Sequence, residues 1–120
     1  MTASTRSLEL TQIAANAAHD KLADDIVALD VSEVFPLADV FLFASSRNER
    51  QTPAIADEIV DQLHLAGVKL LRSEGKAGGR WILLDFGDLI VHVMHEEDRM
   101  YYSVERLWKD GVPVQLDIEQ

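Results

Sequence analysis

The chain reads as a single α/β domain, a mixed five-stranded sheet flanked by helices in the order α-β-β-α-β-β-β-α. Three observations predict it. Nearly continuous apolar runs of strand length, DIVALDV (25–31) and DVFLFAS (39–45), alternate with segments whose apolar residues recur at helical spacing. Two further runs, WILLD and DLIVHVM, flank Phe86-Gly87 in the manner of a β-hairpin. At 120 residues, 48% of them hydrophobic, the chain holds one core and little more.

Each element follows from local chemistry. Residues 1–6 are small and polar and are expected to fray as a flexible N-terminus. From Ser7 to about Leu22, the residues Leu10, Ile13, Ala14, Ala17 and Ala18 mark one face of a helix, with Ser7 as its cap. The run 25–31 is a strand, and Pro36 stiffens the loop after it. The unbroken apolar character of 39–45 points to a central strand covered on both faces. Ser46-Arg47-Asn48-Glu49 has the form of a capping box, opening a helix to about Ala66 with Ile55, Ala56, Ile59, Val60 and Leu63 buried. Pro53 lacks an N–H and fits only a first turn, so the regular helix starts near Asn48 or Thr52. Gly67 stops it, Val68 to Arg72 form a short third strand, and SEGKAGGR (73–80) is a loop.

The stretch from Trp81 to Met94 says most about function. With Phe86-Gly87 at the turn, Asp85 lies opposite Asp88 and Trp81 opposite His92. Strand alternation puts Ile82, Leu84, Phe86, Leu89, Val91 and Val93 on a wholly apolar face, which must be core. The other face carries Trp81, Leu83, Asp85, Asp88, Ile90, His92 and Met94, a mixture typical of an interaction surface. Glu96-Glu97-Asp98 then precede a last helix from about Arg99 to Trp108, with Tyr101, Val104, Leu107 and Trp108 at near-helical spacing. The alternation of Val112, Val114, Leu116 and Ile118 suits an extended arm.

Composition narrows the function. No cysteine is present, which excludes disulfides, thiolate catalysis and cysteine-based zinc sites and suits a reducing cytoplasm. No apolar stretch could span a bilayer as a helix. Twenty-one acidic residues against eleven basic ones give a formal charge of −10, which disfavours a phosphate backbone and favours a basic protein partner. Asp85-Phe86-Gly87 spells a kinase metal motif, but the companion kinase motifs are missing and a hairpin turn explains it better. GKAGG (75–79) suggests a phosphate cradle, but a Walker loop needs GxxxxGK(S/T) before a helix and here a strand follows, so it reads as a flexible loop. His92 and His95 fall on opposite faces if both lie on the strand, so they do not converge on a metal. Ser45 and Ser46 lack the surroundings of a nucleophile elbow and are better suited to capping.

With these residues in view, the chain resembles the ribosomal silencing factor family, also called Iojap-like proteins. The resemblance runs from about Ala14 to Trp108. Its most specific pieces are DDIVALDVSE (24–33), ADVFLFASSRNERQ (38–51), AIADEI (54–59), GRWILLDFGDLIVHVMHEEDR (79–99) and VERLW (104–108). The resemblance implies a silencing factor domain over 7–109, with a C-terminal tail at 110–120 outside the common core. It also implies a nucleotidyltransferase-like fold without a catalytic set, no cofactor, and a cytoplasmic translational repressor rather than an enzyme. The implied partner is the large ribosomal subunit through its protein number fourteen, where occupancy blocks joining of the small subunit, especially under nutrient limitation. Homodimers are a further implication. The expected partner-binding residues are Trp81, Leu83, Asp85, Asp88, His92, Met94, Glu96 and Arg99. Two alternatives stay open: a large-subunit biogenesis factor at the same surface, and a nucleotidyltransferase-like enzyme.

Overall fold

The computed structural model describes residues 3–75, 78–102 and 110–118. The elements are α1 (Thr5–Asp20), β1 (Asp24–Asp30), β2 (Val40–Ser46), α2 (Gln51–Leu65), β3 (Arg72–Glu74), β4 (Trp81–Asp85), β5 (Leu89–His95), α3 (Glu96–Tyr102) and β6 (Val112–Val114). They build one mixed sheet in the order β3-β4-β5-β2-β1-β6, in which β2 and β5 run parallel and the other pairs antiparallel.

The sheet has six strands where five were expected. The sixth is β6, from the tail, which pairs with β1 through Ala28↔Val114, Leu29↔Pro113 and Asp30↔Val112. Its proline sits where a sheet tolerates one, on an edge strand that need not donate on both sides. The third strand is also displaced, to 72–74, because the helix before it ends in a motif that takes in Val68. Val68 N–H bonds to Leu63 O at 2.9 Å and Gly67 N–H to His64 O at 2.9 Å, with Gly67 at φ +88°. This is the paired bonding of a Schellman cap, so Val68 closes α2 instead of opening a strand.

Both caps at helix starts differ from expectation for similar reasons. Ser4, not Ser7, caps α1, its Oγ accepting from Ser7 N–H at 3.0 Å. Ala3 N–H donates to Asp30 and Ser4 N–H to Asp39, so residues 3 and 4 of the segment expected to fray are held by two carboxylates, and Ala3 is buried; residues 1 and 2 lie outside the described residues. At α2 the cap uses Asn48 and Gln51 in place of Ser46 and Glu49. Asn48 Oδ1 accepts from Gln51 N–H and Gln51 Oε1 from Arg47 N–H, both at 2.8 Å. Starting at Gln51 puts Pro53 third in the helix, within the turn whose N–H groups have no helical partner.

Helices α1 and α2 cover one face of the sheet. The main core joins Ala14, Ala17 and Ala18 of α1, Ile55, Ile59 and Leu63 of α2, and Ile82, Leu84, Leu89, Val91 and Val93 of the hairpin. The alanine-rich face of α1 lets that helix approach closely. A second cluster of Leu29, Val31, Ala38, Phe41, Phe43 and Met94 lies apart from it, with Val27, Phe35, Trp81 and Ile90 packed around. Every residue of β2 is buried, as its continuous apolar run required.

The β4–β5 hairpin turns one residue later than expected, on Gly87-Asp88. Phe86 N–H bonds to Leu89 O at 2.9 Å and Gly87 takes φ +93°. Trp81 therefore pairs with Met94 and Leu83 with His92. A shift of two positions along the partner strand keeps the faces unchanged, and all six residues assigned to the apolar face are buried. Helix α3 starts at Glu96 instead of Arg99, so the acidic run forms its first turn. Val104, Leu107 and Trp108 lie outside the described residues.

Candidate functional site

Alternation along β4 and β5 delivers Trp81, Leu83, Asp85, Ile90, His92 and Met94 to the sheet face away from α1 and α2. They do not share one level there. Trp81, Leu83, Asp85 and Ile90 are half-buried, and Asp88, at the hairpin tip, is exposed. Met94 is fully buried in the second cluster and His92 is 8% exposed. Glu96 is exposed, whereas Arg99 is buried. His92 and Met94 thus lie beneath the face they were expected to form, and Arg99, expected to touch a partner, is buried as well. Two-residue periodicity assigns a side, but depth depends on what other elements lay over it.

His92 is the centre of this underlayer. Its ring stacks on Phe43, with centroids 5.0 Å apart and planes 12° apart, and meets Phe41 edge-on at 5.7 Å. Trp81 Nε1–H donates to His92 Nδ1 at 3.1 Å. An Nδ1 that accepts is unprotonated, which fixes the neutral tautomer with its hydrogen on Nε2. Burial among aromatic rings pushes the histidine pKa down to about 4, because the imidazolium would lose its hydration. His92 therefore orients Trp81, the largest half-buried side chain of the face.

Arg99 ties α3 to β1 and β2. Its guanidinium donates to Asp25 O and to Ser45 Oγ (2.9 Å for the latter), and lies 6.0 Å from the Phe43 ring centroid. The carbonyl it uses belongs to a bulge in β1, where the register shifts between Asp24 and Val27 and Asp25 takes φ +48°. Nothing in the sequence marks that bulge. Arg80 is a second tie, gripping Asp98 through two bonds at 2.6 and 3.2 Å and standing 3.5 Å from Glu49 and 3.7 Å from Glu97. The hydrogen bond from Arg80 keeps the Asp98 carboxyl below the usual carboxylate range. His95 Nδ1 accepts from Glu97 N–H at 3.1 Å and so caps α3. Of the acidic run, Asp98 is engaged internally and Glu96 points to solvent.

The chemical candidates are accounted for by structure. Ser46 Oγ lies 2.5 Å from Thr52 Oγ1, and Ser45 Oγ accepts from Arg99; both serines are buried. His92 and His95 take separate partners, Trp81 and the start of α3. Among the described residues no three His, Asp or Glu side chains gather in a way that could hold a metal ion. Among them also, no helix is long and apolar enough to cross a membrane. What the arrangement offers is a half-apolar sheet face with carboxylates at its edges.

Residues 4–120 match the family model described as "Ribosomal silencing factor during starvation". The chain belongs to the ribosomal silencing factor family. It is 43% identical to ribosomal silencing factor RsfS of Bacillus subtilis, with 90% of this chain and 92% of that protein aligned. To the RsfS of Halalkalibacterium halodurans it is 41% identical, over 91% and 93% of the two chains. A crystal structure of a Chromobacterium violaceum protein superimposes with a TM-score of 0.82 at 35% identity, covering 92% of each chain. The silencing factor match continues through the tail, in keeping with the place of β6 in the sheet.

Proposed function

We propose that this chain is a translational repressor that binds the large ribosomal subunit through its protein number fourteen and keeps the small subunit from joining. The family match over residues 4–120 carries the reading. On this reading Trp81, Leu83, Asp85, Asp88 and Glu96 touch the partner, while His92, Met94 and Arg99 hold those residues in place. The scaffold is that of a nucleotidyltransferase turned to binding, with Ser45 and Ser46 occupied by internal hydrogen bonds. Inhibition then comes from occupancy alone, and an exposed half-apolar face also supports pairing of two copies.

The test is large-subunit binding by Trp81→Ala. Truncating an aromatic anchor at the centre of an interface typically costs about 2 kcal/mol, or roughly thirtyfold in Kd. Near-native affinity in a variant with a cooperative thermal transition would remove this face from the contact.

A further inference from the structure

Trp81 and Glu96, two of the residues proposed to touch the partner, stand on different elements. Trp81 begins β4 and Glu96 begins α3, which follows β5 without an intervening residue. Helix α3 is seven residues long, too short to hold itself in water, so its direction is set by what fastens it. Arg99 fastens it toward β1 and β2. Arg80 fastens it toward β4. Its guanidinium grips both Asp98 oxygens, at 2.6 and 3.2 Å, while its carbonyl accepts from His95 N–H at 2.7 Å. One residue, immediately before Trp81, thus holds β5 by its main chain and α3 by its side chain. Of the carboxylates around that guanidinium, Asp98 is the best covered, its side chain 22% exposed against 63% for Glu49 and 75% for Glu97.

We infer that Arg80 is a positioning residue for the proposed ribosomal contact: by gripping Asp98 it fixes α3, and with it Glu96, relative to Trp81. A partner surface that meets both residues gains from finding their spacing already set, because the ordering is not then lost on binding. A partly exposed ion pair adds little to stability, so the worth of this one lies in geometry. Charge argues in the opposite direction. Removing Arg80 makes an acidic chain more acidic, which steers it faster toward a basic partner, and removing Asp98 does the reverse. Positioning weakens binding in both cases. The role in binding rests on the functional reading above; the fixing of α3 does not.

Two measurements separate these claims. In the first, hydrogen exchange of the α3 amides is compared in the wild type, Arg80→Gln, which keeps the aliphatic stem, and Asp98→Ala. Both variants should melt within about 5 °C of the wild type, and exchange in α3 should accelerate about tenfold. Unchanged exchange in α3 overturns the inference. In the second, large-subunit binding kinetics are measured for the two variants and for the double variant. Each single variant should raise Kd about tenfold through faster dissociation, and the double variant should be no worse than either. Opposite shifts in affinity, as charge alone dictates, overturn the inference, as do unchanged affinities or losses that add in the double variant. Weakening by Arg80→Gln but not by Asp98→Ala overturns it too, because Arg80 then touches the partner itself. A wild type that does not bind large subunits overturns the functional reading instead, and hydrogen exchange then decides the fixing of α3 by itself.

Discussion

His92 makes a prediction that depends on geometry at one atom and on burial. In the unfolded chain its imidazole titrates near 6.5, and in the folded chain near 4, because the ring is enclosed by Phe41, Phe43 and Trp81. The folded pKa is the lower one, so above pH 6.5 neither state is protonated and the histidine contributes no penalty. As pH falls below 6.5 the unfolded chain takes up a proton that the folded chain refuses, and stability declines until pH reaches about 4. The whole interval amounts to about 3 kcal/mol, and the part between pH 7 and pH 5 to about 2 kcal/mol. Such a loss lowers the melting temperature of a chain this size by about 8 °C. The carboxyls of Asp24 and Asp98, held low by hydrogen bonds from Arg47 and Arg80, lose their contribution only in stronger acid. The comparison is urea denaturation of wild type and His92→Gln at pH 7 and pH 5. Glutamine keeps an acceptor for Trp81 Nε1–H but cannot take up a proton, so its pH dependence should be about 2 kcal/mol shallower, whatever its absolute stability. Parallel losses in the two proteins, or a ring that titrates near 6.5 by NMR in the folded wild type, would refute the reasoning.

Two other perturbations address how the face is supported. Arg99→Ala leaves Asp25 O and Ser45 Oγ without their donor and opens space over Phe43; it should cost about 3 kcal/mol by urea denaturation. Gly79→Ala places a Cβ 2.8 Å from Glu49 O at a residue with φ +65°, and should cost about 2 kcal/mol by thermal melting while leaving subunit affinity unchanged at temperatures where the variant is folded.

Periodicity recovered the architecture because most of these elements bury one face and state it in their apolar spacing. The buried stripe of α2, the all-buried β2 and the two sides of the β4–β5 hairpin followed directly from residue order, and the sides survived a turn placed one residue early. Elements fixed by backbone bonding were less legible. The Schellman cap that claims Val68, the Ser4 cap and the bulge at Asp25 depend on which N–H meets which oxygen in space. β6 was readable only as an alternating arm, since three residues acquire a place in a sheet through the strand they join. The site divides in the same way. Trp81 and Asp88 could be assigned to a face from the sequence, whereas the burial of His92, Met94 and Arg99 depends on α3 and on aromatic rings from β2. Arg80 gave no signal, because it acts through a partner distant in sequence.

The central claim is that occupancy of the large subunit is the whole of the activity. Its most direct test is subunit joining measured against the concentration of this protein, followed by dilution below the dissociation constant. Inhibition should track the fraction of large subunits occupied, need no nucleotide, and reverse on dilution with both subunits chemically unchanged. Inhibition that requires a nucleotide, shows turnover, or persists after the protein is removed would contradict the account and favour an enzyme on this scaffold.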